Sequence, residues 1–250
     1  SVYFSWCLVP IFAIAAKEWG RFIDKECNIT QWSFTITVTV LLIAINVLFP
    51  ADSLWFKGHL QPMFLAIISI GVVWWVISTL LVFSFPKSAA VWRNSHMLKS
   101  MFGQLTLIPC FVSLITLKSL SNQADPYFGG VLVLIVMLIV WATDTGANFA
   151  GRTLGKHKLM PNVSPAKTLE GLAGGLLTTL LIVAGVMYVS PQQELGLLVV
   201  VTLITALASA FGDLSESMFK RVAVIKDSGT ILPGHGGILD RINSLTAAFP

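Results

Sequence analysis

Residues 212–244 combine carboxylates, cations and glycines in a pattern suited to phosphate chemistry. In GDLSESMFKR, Asp213, Glu216, Ser217 and Lys220 fall at i, i+3, i+4 and i+7. If that stretch is helical, the four share one face. A carboxylate, a hydroxyl and a cation on one stripe suit a phosphate–metal site, and they equally suit a solvated, salt-bridged helix face. Lys226 and Asp227 follow, ahead of PGHGGILDRINS at 233–244. Gly234, Gly236 and Gly237 surround His235 there and would let backbone N–H groups approach an anion closely. Asp240 and Asn243, at i and i+3, can face one site if a helix begins in this stretch.

A second group starts at Asp144, directly after the apolar run LIVMLIVWAT. Ionisable groups at membrane depth are costly, which makes Asp144 and Asp213 functional candidates; each also reads as a charge marking a helix end. The stretch DTGANFAGRTLGKHKLMPNVSPAKTLEG carries Gly146, Gly151 and Gly155 with Arg152, Lys156, Lys158 and Lys167. It suits nucleotide phosphates or anionic lipid headgroups. GRTLGKH is not a Walker A loop, because its glycine spacing is one short and His157 replaces Ser or Thr. None of His59, His96, His157 and His235 lies in HExxH, and no GxSxG is present. Acidic residues at the ends of apolar runs weigh against a proton-coupled transporter.

These groups must be positioned by membrane helices. The 250 residues are 55% apolar and only 11% charged, with mean hydropathy +0.81. A soluble domain carries about 25% charged residues, so lipid must face most of this surface. Apolar runs at 2–16, 32–49, 63–85, 101–117, 128–143, 171–189 and 195–211 predict about seven spans, with an eighth starting near Leu245. The fold expected is all-α, a polytopic transmembrane helical bundle forming a single membrane-embedded domain over 1–250. Lys plus Arg between the runs count three, one, three, one, four, none and four. That alternation puts the basic loops, including the functional loops 144–170 and 212–244, on the cytoplasmic side. Cys7, Cys27 and Cys110 lack metal-ligand or CxxC spacing and read as packing residues. Ser1 stands directly before an apolar run and SLTAAFP stops as another begins, so a piece of a longer protein is expected.

The stretch SMFKRVAVIKDSGTILPGHGGILDRINS resembles the signature of phosphatidate cytidylyltransferases (CDP-diacylglycerol synthases): S-x-x-K-R, four residues, K-D, then P-G-H-G-G and D-R-x-D. The 144–171 stretch is also similar to that family, and WRNS and GDLSESMFKR look like its bacterial members. The resemblance implies transfer of CMP from CTP to phosphatidic acid at the cytoplasmic face of a bacterial inner membrane. It implies Mg2+, with a second, monovalent cation as a further candidate, held by Asp213 and Asp240. Asp144 and Asp227 are further acidic members, and Asn243 is a further candidate ligand. Lys167, Lys220, Arg221, Lys226 and Arg241 would neutralise phosphate charge, and Ser217 and His235 would bind phosphate oxygens. A homodimer is a further expectation; a nucleic-acid partner is not. The motif departs from the family at its last position, where Asn243 replaces Asp. Asn offers a carbonyl oxygen but no charge, so weakened metal binding is expected. A transporter or a catalytically silent lipid-binding relative is the alternative.

Overall fold

The computed structural model describes residues 2–50, 53–120, 127–189, 195–231, 234 and 236–250. Among them the chain forms α1 (Val2–Ile23), α2 (Asn28–Leu48), α3 (Pro62–Phe83), α4 (Ala89–Trp92), α5 (His96–Ser119), α6 (Phe128–Thr153), α7 (Leu169–Val189), α8 (Leu195–Ala223) and α9 (Leu239–Ala248). Two antiparallel hairpins interrupt the helices: β1 (Trp55–Phe56) with β2 (His59–Leu60), and β3 (Lys158–Met160) with β4 (Ser164–Thr168).

The all-α polytopic expectation holds. Among the described residues six helices are long and apolar enough to cross a membrane: α1, α2, α3, α5, α6 and the Gly196–Ala223 part of α8. The seventh expected span falls in α7, whose apolar stretch Leu169–Gly185 is shorter. The run near Leu245 belongs to α9, which has 10 residues and already begins at Leu239. Ile36, Val40 and Val47 on α2, and Val73, Val76 and Leu80 on α3, are each more than half exposed. A continuous apolar surface of that kind is stable against lipid, not water.

Several helices outrun the apolar runs that predicted them. α1 continues to Ile23, α6 to Thr153 and α8 to Ala223. Residues 144–153 and 212–223, expected in loops, are therefore helical, and Asp144, Asp213 and Glu216 lie inside long helices instead of at their ends. Hydropathy falls where a helix turns polar side chains to its neighbours, yet backbone hydrogen bonding favours continuing the helix.

Small residues bring α6 and α7 together. A methyl on Gly146 would overlap Thr178, and one on Gly174 would overlap Ala150; close backbone approach of this kind drives packing where no hydrophobic effect acts. Thr143 and Thr179 share a buried hydrogen bond of 2.9 Å across the same seam. The core around α1, α5 and α8 is aromatic. Phe219 packs its ring centroid 5.0 Å from Trp19 and 5.1 Å from Trp92. Trp19 Nε1 donates to the Lys99 carbonyl at 2.9 Å, and Lys99 Nζ donates to the Ile23 carbonyl at 2.5 Å, satisfying the end of α1. The three cysteines are free; Cys110 packs inside as expected, whereas Cys7 is exposed and Cys27 half-buried.

α8 ends at Val224, whose φ of 55° is left-handed, while Ile225 N–H donates back to the Lys220 carbonyl at 3.1 Å. A β-branched residue is strained there, at a cost of about 1–3 kcal/mol. The Val224 side chain is 78% exposed, so removing it forfeits little packing. Val224→Gly is expected to raise the thermal midpoint of the detergent-solubilised protein, by the equivalent of about 1 kcal/mol. A melting curve checks this, and a lowered midpoint would count against the strained cap.

Candidate active site

A cavity of about 510 Å³ opens between α6, α7, α8, α9 and the β3–β4 hairpin. From α6 it takes Asp144, Asn148 and Arg152, which recur every four residues and so share one helix face. The hairpin contributes Lys167, α8 contributes Asp213, and α9 contributes Asp240, Arg241, Asn243 and Ser244.

The hairpin is fixed at both ends. At the start of α7, Glu170 accepts from the Lys156 N–H at 3.1 Å, from the His157 N–H and from His157 Nδ1 at 2.6 Å. Arg221 Nε on α8 donates to the Val163 carbonyl at 3.1 Å, pinning the hairpin turn. Lys167 then reaches Asp213 as an ion pair.

The predicted helix face on α8 is present and meets α9. Asn243 Nδ2 donates to Asp213 Oδ1 at 2.8 Å and to Glu216 Oε2 at 2.6 Å, while its Oδ1 accepts from the Ser244 N–H at 2.7 Å. The amide thus bridges two carboxylates. Lys220 Nζ lies 2.6 Å from Asp240 Oδ1 and 3.3 Å from Glu216 Oε1. Asp240 also accepts from the Ser228 N–H at 3.0 Å and the Gly237 N–H at 2.7 Å. Burial pushes the Asp240 carboxyl up, but the hydrogen bonds it receives, among them those from the Lys220 ammonium and the Gly237 N–H, outweigh it and hold it at about 2.

Of the residues singled out from sequence, Asp144, Gly151, Arg152, Lys167, Asp213, Asp240, Arg241 and Asn243 converge on the cavity. Lys220 stands behind them on Asp240. Ser217, Arg221, Lys226, Asp227, Gly236 and Gly237 do not line it. Arg221 holds the hairpin, and Lys226 and Asp227 are exposed. Gly236 has φ +80°, and a side chain there would press on Asp240 Oδ2. His235 lies outside the described residues.

Two residues of α1 escaped the sequence reading. Glu18 is 3% exposed and accepts three hydrogen bonds from the chain around 228–239, and Arg21 donates to the carbonyls of Asp227 and Ser228. The available signal was a lone acid in an apolar helix; ending the first span at residue 16 left Glu18 outside it.

No group of three or more His, Cys, Asp or Glu is arranged to hold a metal among the described residues. Mg2+ ordinarily binds through one or two carboxylates together with substrate phosphates. Asp144 and Asp213, hard oxygen donors on one cavity, fit that requirement. Both oxygens of Asp213 are engaged, by Asn243 and Lys167, as are both of Asp240, by Lys220 and the Ser228 and Gly237 N–H groups, so a cation at either carboxylate takes the place of one of these partners.

The sequence model of the Cytidylyltransferase family matches residues 1–250. The chain belongs to this family. Its relatives include the phosphatidate cytidylyltransferase of Haemophilus influenzae, 37% identical over 266 aligned residues that cover 99% of this chain and 88% of the relative. The phosphatidate cytidylyltransferase of Pseudomonas aeruginosa is 38% identical over 250 residues, covering 99% of this chain and 85% of the relative. The enzyme of that name from Staphylococcus epidermidis is 50% identical over 119 residues, 47% of this chain and 46% of the relative. Family membership makes the cavity, with its cations and carboxylates, the place to look for nucleotidyl chemistry.

Because the Asp240 carboxyl is lowered from 3.8 to about 2, its ionised form adds stability above about pH 4, which is lost as pH falls through 2. Asp240→Asn is expected to destabilise the protein by about 1.5–3 kcal/mol at neutral pH. Melting curves from pH 7 downward should show the deficit closing between about pH 4 and pH 2; a deficit independent of pH would contradict the ionised hydrogen-bonded carboxylate.

Proposed function

We propose that this chain transfers CMP from CTP to phosphatidic acid, forming CDP-diacylglycerol and pyrophosphate. What supports this most is the family match over the whole chain, including both charged stretches that line the cavity. In the reaction a phosphatidate oxygen attacks the α-phosphorus of CTP. The bond from that phosphorus to the oxygen bridging to the β-phosphate breaks, and pyrophosphate leaves with the electron pair. The attacking phosphate is already ionised near neutral pH, so no general base is needed and no covalent enzyme intermediate forms.

Lys167, Arg152 and Arg241 then have the task of neutralising and orienting the phosphates, a role guanidinium and ammonium groups fill well. Asp144 and Asp213 would hold Mg2+, whose charge offsets that of the triphosphate; Asp240 serves chiefly as the anchor of α9. The Lys and Arg distribution supports a site on the cytoplasmic face, where a water-soluble nucleotide meets a membrane lipid.

Asn243 bears on how well this chain performs the step. Its amide donates to Asp213 and Glu216, occupying lone pairs that a cation would otherwise use. An aspartate at that position would add a third carboxylate and a stronger demand for a cation.

The test is purified protein with labelled CTP, phosphatidic acid and Mg2+. CDP-diacylglycerol should form only with all three, and Asp213→Ala should cut the rate on the order of 100-fold or more. No product from the wild type, or a native rate in Asp213→Ala, would overturn the proposal. Asn243→Asp should raise the rate and steepen its dependence on Mg2+; no gain at any Mg2+ concentration would show that Asn243 does not impair metal binding.

A further inference from the structure

Glu18 is a buried carboxylate that the proposed chemistry does not use. It sits on α1, 210 residues away in sequence from Ser228, whose Oγ donates to Glu18 Oε2 at 3.2 Å. The Ile238 N–H donates to Oε1 at 3.0 Å and the Leu239 N–H to Oε2 at 2.7 Å. Leu239 is the first residue of α9. Alongside, Arg21 Nη1 donates to the Ser228 carbonyl at 2.6 Å and lies 3.4 Å from the Asp227 carbonyl. One turn of α1 therefore grips both ends of the connection between α8 and α9.

Two glycines make room for that grip. A methyl on Gly229 or on Gly237 would overlap the Glu18 carboxylate. Neither Gly229 nor Gly237 has a positive φ. The lack of a side chain at these positions is thus explained by the carboxylate beside them and not by a turn. Gly237 in turn donates its N–H to Asp240, so the grip passes directly to the start of α9.

We infer that Glu18 is a positioning residue for the cavity. Held in α1, it fixes where α9 begins, and with it the angular phase at which Asp240, Arg241 and Asn243 reach the site. A carboxylate is required because three donors converge on a group that is 3% exposed. A glutamine in the same place offers one acceptor oxygen in place of two, and at least one buried donor is left unpaired. The link to catalysis rests on the cytidylyl-transfer reading above; the geometric claim does not.

The experiment compares wild type, Glu18→Gln and Gly229→Ala, all full chains in detergent. Glu18→Gln removes the charge, whereas Gly229→Ala keeps the charge and displaces the carboxylate. Hydrogen exchange is followed by mass spectrometry in peptides covering 225–242 and, as a control, in α5. Both variants should exchange faster across 225–242, on the order of 10–100-fold, the change that matches one lost hydrogen bond to a charged group. Exchange in α5 should not move. In the transfer assay both variants should lose kcat by a similar factor while the folded fraction stays at the wild-type level. Unchanged exchange across 225–242, or equal acceleration in α5, would overturn the inference, as would faster local exchange with an unchanged kcat. If the wild type makes no CDP-diacylglycerol, the cytidylyl-transfer reading fails; local exchange without substrates still decides whether Glu18 fixes α9.

Discussion

The Asp240 carboxylate is the point on which the rest of the site depends. It receives an ammonium from α8 and backbone N–H groups from both ends of the 224–238 connection. A carboxylate largely removed from water is tolerated only when such donors surround it. Once they do, α9 has a fixed start and α8 a fixed partner. The Asn243 amide, one turn further along α9, then lands between Asp213 and Glu216. The α9 groups of the cavity are arranged by this tie, whereas Lys167 is held by its direct pairing with Asp213.

The same constraint explains why the site draws on so much of the chain. An apolar bundle gains little by packing apolar faces against one another in lipid, so close glycine contacts and polar ties carry the specificity of assembly. The α6–α7 seam uses the first means, through Gly146 and Gly174. Glu18, Arg21, Glu170 and Arg221 use the second, each joining a helix to the backbone of a distant loop or hairpin. Their targets are mostly backbone groups, which fix the chain path whatever side chains it carries.

Much of this was legible in the sequence. The spacing of Asp213, Glu216 and Lys220 identified one helix face, and the structure puts all three in a single network with α9. Apolar runs located the helices, and six long apolar helices stand where they were expected. Helix ends were less legible, because Asp144 and Asn148 lower hydropathy while turning toward a polar cavity inside the helix. The partnership of Glu18 with Ser228 and Leu239 had no local trace at all: it joins residues more than two hundred positions apart and leaves no periodicity. Gly237 shows the limit of motif reasoning. A glycine beside a charged turn suggests an approaching anion, and the anion observed beside it is the protein's own carboxylate.

The most direct measurement is a double-mutant cycle between Lys220 and Asp240, using Lys220→Met, Asp240→Leu and the pair, read as unfolding free energies in detergent. If the tie organises α8 against α9, the two losses will be non-additive, with a coupling of about 1–3 kcal/mol. Losses that simply add would contradict it.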